Sequence, residues 1–454
     1  MNAEIAIKNA LILTMNSDLQ VFQRGYLLIK GSKIISVGDM DKYPGESYKK
    51  VIDAKGKLIL PGFVNTHTHL PMVLCRGLSE DTKLQEWLAQ IWRYEGHLSK
   101  TDCYEGAYVA CMESIRSGVT CVHDMYFFED EIAKACDEAG IRAVLSYGII
   151  DKFADDIQAR REEELKKTED FIQKWHKKND LISVSIGPHA PTTCTPETLI
   201  QSKELGQKYD CPIHIHIAEA ETEKEEIFKE HNKSIVKYLE DLGFFHESHT
   251  ISAHCIWLDE NDISIFKKYG VKVAHNPSSN MKLASGLARI PEMLENNIIV
   301  GLGTDGAGSN NNLSILVEMR LAGLIQKGFH RNAELLPAHK LVQMATIDGA
   351  KVLGLENKIG SLEEGKLADI CIFDLTDVNI HPNTDIYSTV VYSLREYNLT
   401  DVLINGQFVY KNREHVNKQL VQSHLSRFRK AFRELHKKAD PENKQGFVYL
   451  TDSF

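Results

Sequence analysis

The sequence predicts an α/β protein: a central (β/α)8 TIM-type barrel, with a small β-sandwich domain built from both termini. Three observations predict it. Short β runs open and close the chain, and the middle alternates strand and helix in units of about 30 to 50 residues. That middle also holds eight strand candidates, the number a closed barrel requires.

At the start, Ile5–Leu13 reads as a strand and residues 26–37 as a hairpin turning at Lys30-Gly31-Ser32-Lys33. Strands at 51–53 and 57–60 follow, with Lys55-Gly56 between them as a turn. A matching β pattern returns at 369–374 and 402–410. Residues 1–60 and 361–412 are therefore expected to share one sheet domain, and 61–360 to form the barrel. Its strands are expected at 62–65, 119–122, 143–146, 183–186, 213–217, 250–253, 271–274 and 299–302. A doubly wound sheet has the same alternation, and counting alone does not separate the two. After Glu414, the positions Leu420, Leu425, Phe428, Phe432 and Leu435 recur at helical spacing. Residues 413–454 thus read as an amphipathic helix and a tail, which ends in Phe447-Val448-Tyr449-Leu450 without a functional reading.

Bulk properties exclude several classes of function. Hydrophobic residues make up 43% and charged residues 26%, the balance of a soluble protein with a large core. The formal charge of −10 is spread along the chain, and no basic stripe marks a nucleic-acid footprint. The run Ser426-Arg427-Phe428-Arg429-Lys430 reads as one face of a helix. The nine cysteines form no C-x-x-C pair, and Cys121, Cys211, Cys255 and Cys371 sit in apolar runs as buried free thiols. No apolar run approaches the roughly 18 residues of a membrane span. Met1-Asn2-Ala3-Glu4 does not open a secretory signal. A cytoplasmic protein is the expectation.

The chemistry begins at Pro61-Gly62-Phe63-Val64-Asn65-Thr66-His67-Thr68-His69. Alternate residues on a strand point the same way, so His67 and His69 can converge on one ion. With 19 histidines in 454 residues, chance alone supplies about one such pair, so the pair carries little by itself. Recurrence at other strand ends carries more. His214-Ile215-His216-Ile217-Ala218-Glu219 is a second pair with a carboxylate beyond it, and Ala253-His254-Cys255 closes the next strand. Gly303-Thr304-Asp305-Gly306 closes the last with an aspartate between glycines. Any one of these histidines is ordinary as a core residue. Together they make a ligand set for one divalent ion, zinc before iron, at the barrel face that carries chemistry. Such an ion lowers the pKa of water. Glu219 is placed to shuttle a proton, His254 to orient or deprotonate the water, and Asp305 to serve as ligand and proton acceptor. The residues alone leave open whether His214 or His216 binds the ion.

These segments, with Gly187-Pro188-His189-Ala190-Pro191 and 275–283, resemble the amidohydrolase superfamily. Within it they are similar to the 5-methylthioadenosine/S-adenosylhomocysteine deaminases and the 5′-deoxyadenosine deaminases, over about residues 4 to 412. The resemblance implies that His67, His69, His216 and Asp305 bind the metal, that Glu219 and His254 move protons, and that His214 is structural. It implies substrate contacts from Trp87, Glu95 and His189, with Glu95 on the ribose hydroxyls. The strand before His189 lacks the lysine of binuclear relatives, so a single metal is expected.

The chain departs from the family in two places. Ile91-Trp92-Arg93-Tyr94-Glu95 replaces the usual Ile-Trp-Pro-x-Glu with a spacing one residue short, and Tyr147 stands where some members carry an arginine. Arg160 or Arg161 is the remaining candidate for a guanidinium near the substrate; both otherwise read as a solvated helix face. A nucleoside substrate and a homo-oligomer are expected, with no nucleic-acid or membrane partner. The rival within the fold acts on guanine, a pterin or an s-triazine. A non-catalytic scaffold or an ion store would have no need of an uncoordinated Glu219 beside an open metal position.

Overall fold

A computed structural model describes residues 3–45 and 47–442, so the 447–450 run lies outside the described residues. The first strands are β1 (Ile5–Leu13), β2 (Val21–Lys30), β3 (Lys33–Asp39), β4 (Lys50–Asp53) and β5 (Lys57–Pro61). Next come β6 (Phe63–Thr68), β7 (Val119–Tyr126), β8 (Arg142–Ile149), β9 (Ile182–Pro188) and β10 (Ile213–Ile217). They are followed by β11 (Thr250–His254), β12 (Lys272–His275) and β13 (Val300–Leu302). The chain then adds β14 (Ile370–Asp374), β15 (Leu399–Ile404), β16 (Gln407–Lys411) and β17 (Glu414–His415).

Strands β6 to β13 form one parallel sheet in strictly sequential order, with helices between them. A doubly wound sheet would reverse its order at a switch point; this one does not. Its ends return to each other, with the Asp305 amide donating to the His67 carbonyl at 3.0 Å just beyond β13 and within β6. The architecture is the eight-stranded barrel. Every residue of β10 is buried, because its isoleucines face the helices while His214 and His216 face inward.

The remaining strands make a mixed sheet in the order β17-β16-β15-β14-β5-β1-β2-β3, with β4 beside β1. The two ends of the chain join where β5 runs antiparallel to β14, pairing Leu60 with Cys371 and Leu58 with Phe373. Ile7, Ile12, Leu27, Ile59, Ile370 and Leu403 bury together in one apolar cluster of that sheet. Sheet and barrel are tied by a buried ion pair. Arg142 of β8 donates from Nε to Asp369 Oδ2 at 2.8 Å, and Asp369 also accepts from the Asn405 amide at 2.7 Å.

The C-terminal helix Lys418–Ala439 starts at Asn417, whose side chain accepts from the Leu420 amide. It lies on helix Lys100–Arg116, where Glu105 takes His424 Nδ1 at 2.7 Å and the Arg427 guanidinium. Tyr94 Oη and His436 Nδ1, 2.8 Å apart, tie it to helix Leu84–Glu95 as well. All nine cysteines are buried free thiols.

Candidate active site

The C-terminal ends of β6, β10, β11 and β13 bring His67, His69, His216, His254 and Asp305 together. Nitrogen or carboxylate atoms of His67, His216 and His254 lie within 4.8 Å of one another, as do those of His67, His69 and Asp305. Asp305 Oδ1 is 3.2 Å from His69 Nε2 and 3.6 Å from His67 Nε2. Two side chains hold β6 against the loop that carries the aspartate. Asn65 Nδ2 donates to Thr304 Oγ1 at 2.8 Å, and its Oδ1 accepts from the Thr304 amide at 3.1 Å. Gly303 is required here by close approach, since a Cβ would lie 2.2 Å from Asn276 Oδ1 and 2.9 Å from His67 Cβ.

The far nitrogens of the rings are fixed. His69 Nδ1 donates to the Met125 carbonyl at 2.5 Å and His216 Nδ1 to the His189 carbonyl at 2.8 Å, which leaves each Nε2 as the ring's remaining ligand atom. His67 Nδ1 is 2.8 Å from His214 Nε2, and its own Nε2 is buried without a hydrogen-bond partner. An orphaned imidazole nitrogen among aimed ring nitrogens and a carboxylate fits a divalent cation, and the His/Asp donors suit zinc or ferrous iron. His214 lies behind the group, stacked on His123 at 3.7 Å between ring centres and 3.2 Å from Ser146 Oγ.

Glu219 and His254 face the same centre. His254 Nε2 is 3.7 Å from Glu219 Oε2 and 4.0 Å from Asp305 Oδ2, while its Nδ1 donates to Asn280 Oδ1 at 2.8 Å. Asp305 Oδ2 accepts from Ser279 Oγ at 2.6 Å and Ser309 Oγ at 3.0 Å. Behind both, the buried Glu318 carboxylate takes the Ser278 amide at 2.9 Å and Asn310 Nδ2 at 2.8 Å. The supports of His254 and Asp305 are thus joined. Ala218, His254, Cys255 and Asp305 all adopt left-handed backbone, with φ of 55°, 69°, 53° and 59°. For non-glycine residues at successive strand ends this is strain held by the surrounding fold.

The electrostatics follow from burial. Burial pushes His67 down to about 3 and His189 down to about 4. For His69 burial acts the same way, but the Asp305 and Asp124 carboxylates outweigh it and raise the ring to about 9. Burial raises the Glu219 carboxyl, with the His254 ring opposing and the Asp305 charge adding. Glu223, half-buried one turn on, is pushed up to about 8 by burial and by Glu219.

His69, His216, Glu219, Glu223, His254 and Asp305 open into one cavity, lined also by Trp87, Glu95 and His189. Glu95 points into it despite the short spacing, and its Oε1 accepts from Tyr126 Oη at 2.7 Å. Trp87 forms a buried wall with Nε1 donating to the Gly308 carbonyl at 3.3 Å, and His189 Nδ1 is 3.0 Å from Thr193 Oγ1. Arg160 and Arg161 do not line the cavity; they pair with Glu164 at 2.9 Å and Glu197 at 3.7 Å. Sequence reasoning assigned no part to Ser279, Asn280, Ser309, Glu318, Tyr126 or Glu223. Only the 275–283 segment carried a signal for any of them, as a motif without roles.

The chain is similar over most of its length to known deaminases. It is 44% identical over 414 residues to a 5′-deoxyadenosine deaminase of Methanobrevibacter smithii, covering 90% of this chain and 93% of that one. It is 40% identical over 412 residues to a 5-methylthioadenosine/S-adenosylhomocysteine deaminase of Syntrophomonas wolfei, covering 90% and 94%. The crystal structure of an adenosine deaminase from Xanthomonas campestris with bound zinc superposes with a TM-score of 0.88 at 29% identity, covering 95% of this chain and 99% of the other. The profile of the amidohydrolase family matches residues 58–409. This chain belongs to the amidohydrolase family.

Proposed function

We propose that the protein is a metal-dependent deaminase that hydrolyses the 6-amino group of an adenosine-type nucleoside to the inosine analogue and ammonia. The substrate is 5-methylthioadenosine, 5′-deoxyadenosine, S-adenosylhomocysteine or adenosine. One observation carries the reading: Glu219 and His254 face the His/Asp cluster in a cavity that also presents the half-buried carboxylate of Glu95. The deaminase names of the relatives point the same way.

His67, His69, His216 and Asp305 would hold the ion, zinc in this proposal and iron as the alternative; the bound zinc of the Xanthomonas campestris neighbour supports the choice. Bound there, a divalent cation lowers the pKa of a water and so supplies hydroxide near neutral pH. Glu219 gives a proton to the ring nitrogen beside the reacting carbon, takes one back from the hydroxyl added at that carbon, and delivers it to the departing amine. His254, its tautomer fixed by Asn280, orients the water, and Asp305 accepts its proton. Glu95 takes the ribose hydroxyls, while Trp87 and His189 wall the nucleoside.

Glu219→Gln should retain its metal by elemental analysis while kcat on 5′-deoxyadenosine falls by about 1,000-fold. Near-normal turnover in that variant would remove the proton-carrier role.

A further inference from the structure

The floor of the cavity is His69, Glu219, His254 and Asp305, and its rim is made of exposed side chains. Trp92 is 45% exposed and Phe153 65%, and both rings border the same opening. Apolar rings left in water at the edge of a pocket mark a binding surface. Trp92 comes from helix Leu84–Glu95, one turn before Glu95, and Phe153 from the segment after β8. The same cavity is lined by Glu223 and Glu226, three residues apart on one face of helix Glu221–His231, which begins just beyond Glu219.

None of the described residues lining the cavity is a lysine or an arginine. The cation beside the rim, Lys152, is shared by two carboxylates, with Nζ 3.2 Å from Glu226 Oε1 and 3.3 Å from Glu230 Oε2. Arg160 and Arg161 are paired elsewhere. On the deaminase reading, with the amino carbon at the floor and the ribose at Glu95, the rim beside Glu95, where Trp92 lies one turn away on the same helix, is left for the 5′ substituent.

We propose that the rim is a charge filter for the 5′ substituent: it admits adenosines whose 5′ group is apolar or cationic and rejects those carrying a carboxylate or phosphate there. The inference rests on the deaminase reading and narrows its substrate class. The rings of Trp92 and Phe153 offer apolar contact to an alkyl or thioether group and a π face to an ammonium or sulfonium. Glu226 adds a carboxylate for a cation, and Glu223, held up by burial and by Glu219, adds a carboxyl acceptor without full charge. An anion at the same place leaves water without a counter-charge and faces like charge instead.

The test compares kcat/KM of the metal-loaded protein and its Glu226→Lys variant. The substrates are 5′-deoxyadenosine, 5′-amino-5′-deoxyadenosine, adenosine 5′-carboxylic acid and adenosine 5′-monophosphate. The amino compound should match or exceed 5′-deoxyadenosine, and both anions should fall at least about 100-fold below it. Glu226→Lys should raise the ratio of anionic to neutral substrate about tenfold. Binding constants of the two anions as competitive inhibitors should move with the same sign. Anions turned over within about threefold of 5′-deoxyadenosine, or a ratio unmoved by the charge reversal, would overturn the filter alone. Silence on all the nucleosides would remove the deaminase reading and the filter with it.

Discussion

Glu95 ends helix Leu84–Glu95 half-buried; burial raises its carboxyl, and the Tyr126 hydroxyl on Oε1 opposes the rise. If the carboxyl grips ribose, Glu95→Ala should weaken the binding of inosine by about 10- to 100-fold, the scale of a hydrogen bond to a charged group. Hypoxanthine, which has no ribose, should bind as before. Equal losses for both, read as inhibition constants, would show that the residue only shapes the cavity. At this scale the sequence was most informative where local geometry repeats. His67 and His69, and His214 and His216, are visible because a strand alternates its faces. Glu318 is not visible: it sits inside helix Ile315–His330, and nothing local says that its carboxylate reaches Ser278 and Asn310. Choosing His216 over His214 likewise needs the barrel, which seats His214 behind His67.

The seam between barrel and sheet depends on the buried pair Arg142–Asp369, because neither charge has water to fall back on. Asp369→Ala should destabilise the fold by about 3–5 kcal/mol, since it strands a buried guanidinium and removes the acceptor of the Asn405 amide. Chemical denaturation measures this directly, and a loss under about 1 kcal/mol would mean that the seam is held by its apolar contacts. Strands were legible where apolar residues run on. β1 falls where the pattern puts it, and the hairpin turns at Gly31, in left-handed backbone. β2 begins at Val21, earlier than expected, because Val21 and Phe22 pair with Leu13 and Ile12 across a bulge. The polar Gln23-Arg24 and the following Gly25 hid that extension. The amphipathic period after Glu414 gave the C-terminal helix, but not its partners Glu105 and Tyr94, which lie more than 300 residues away.

Across the whole molecule, sequential closure of the barrel turns histidines and an aspartate scattered between His67 and Asp305 into one cluster. The alternating pattern and the β runs at both ends made that architecture readable. The count of eight strands predicted closure but not its manner, because β13 is short and the loop after it meets β6 through Asn65 and Thr304 rather than through a long ladder. The central claim is that this cluster deaminates adenosine-type nucleosides. The most direct measurement is ammonia release, with the accompanying ultraviolet change, from zinc-loaded protein. It would be offered 5′-deoxyadenosine, 5-methylthioadenosine, adenosine, adenine and guanine side by side. The account predicts turnover of the nucleosides and none of adenine or guanine. Silence on every nucleoside with metal bound, or turnover of guanine in their place, would contradict it.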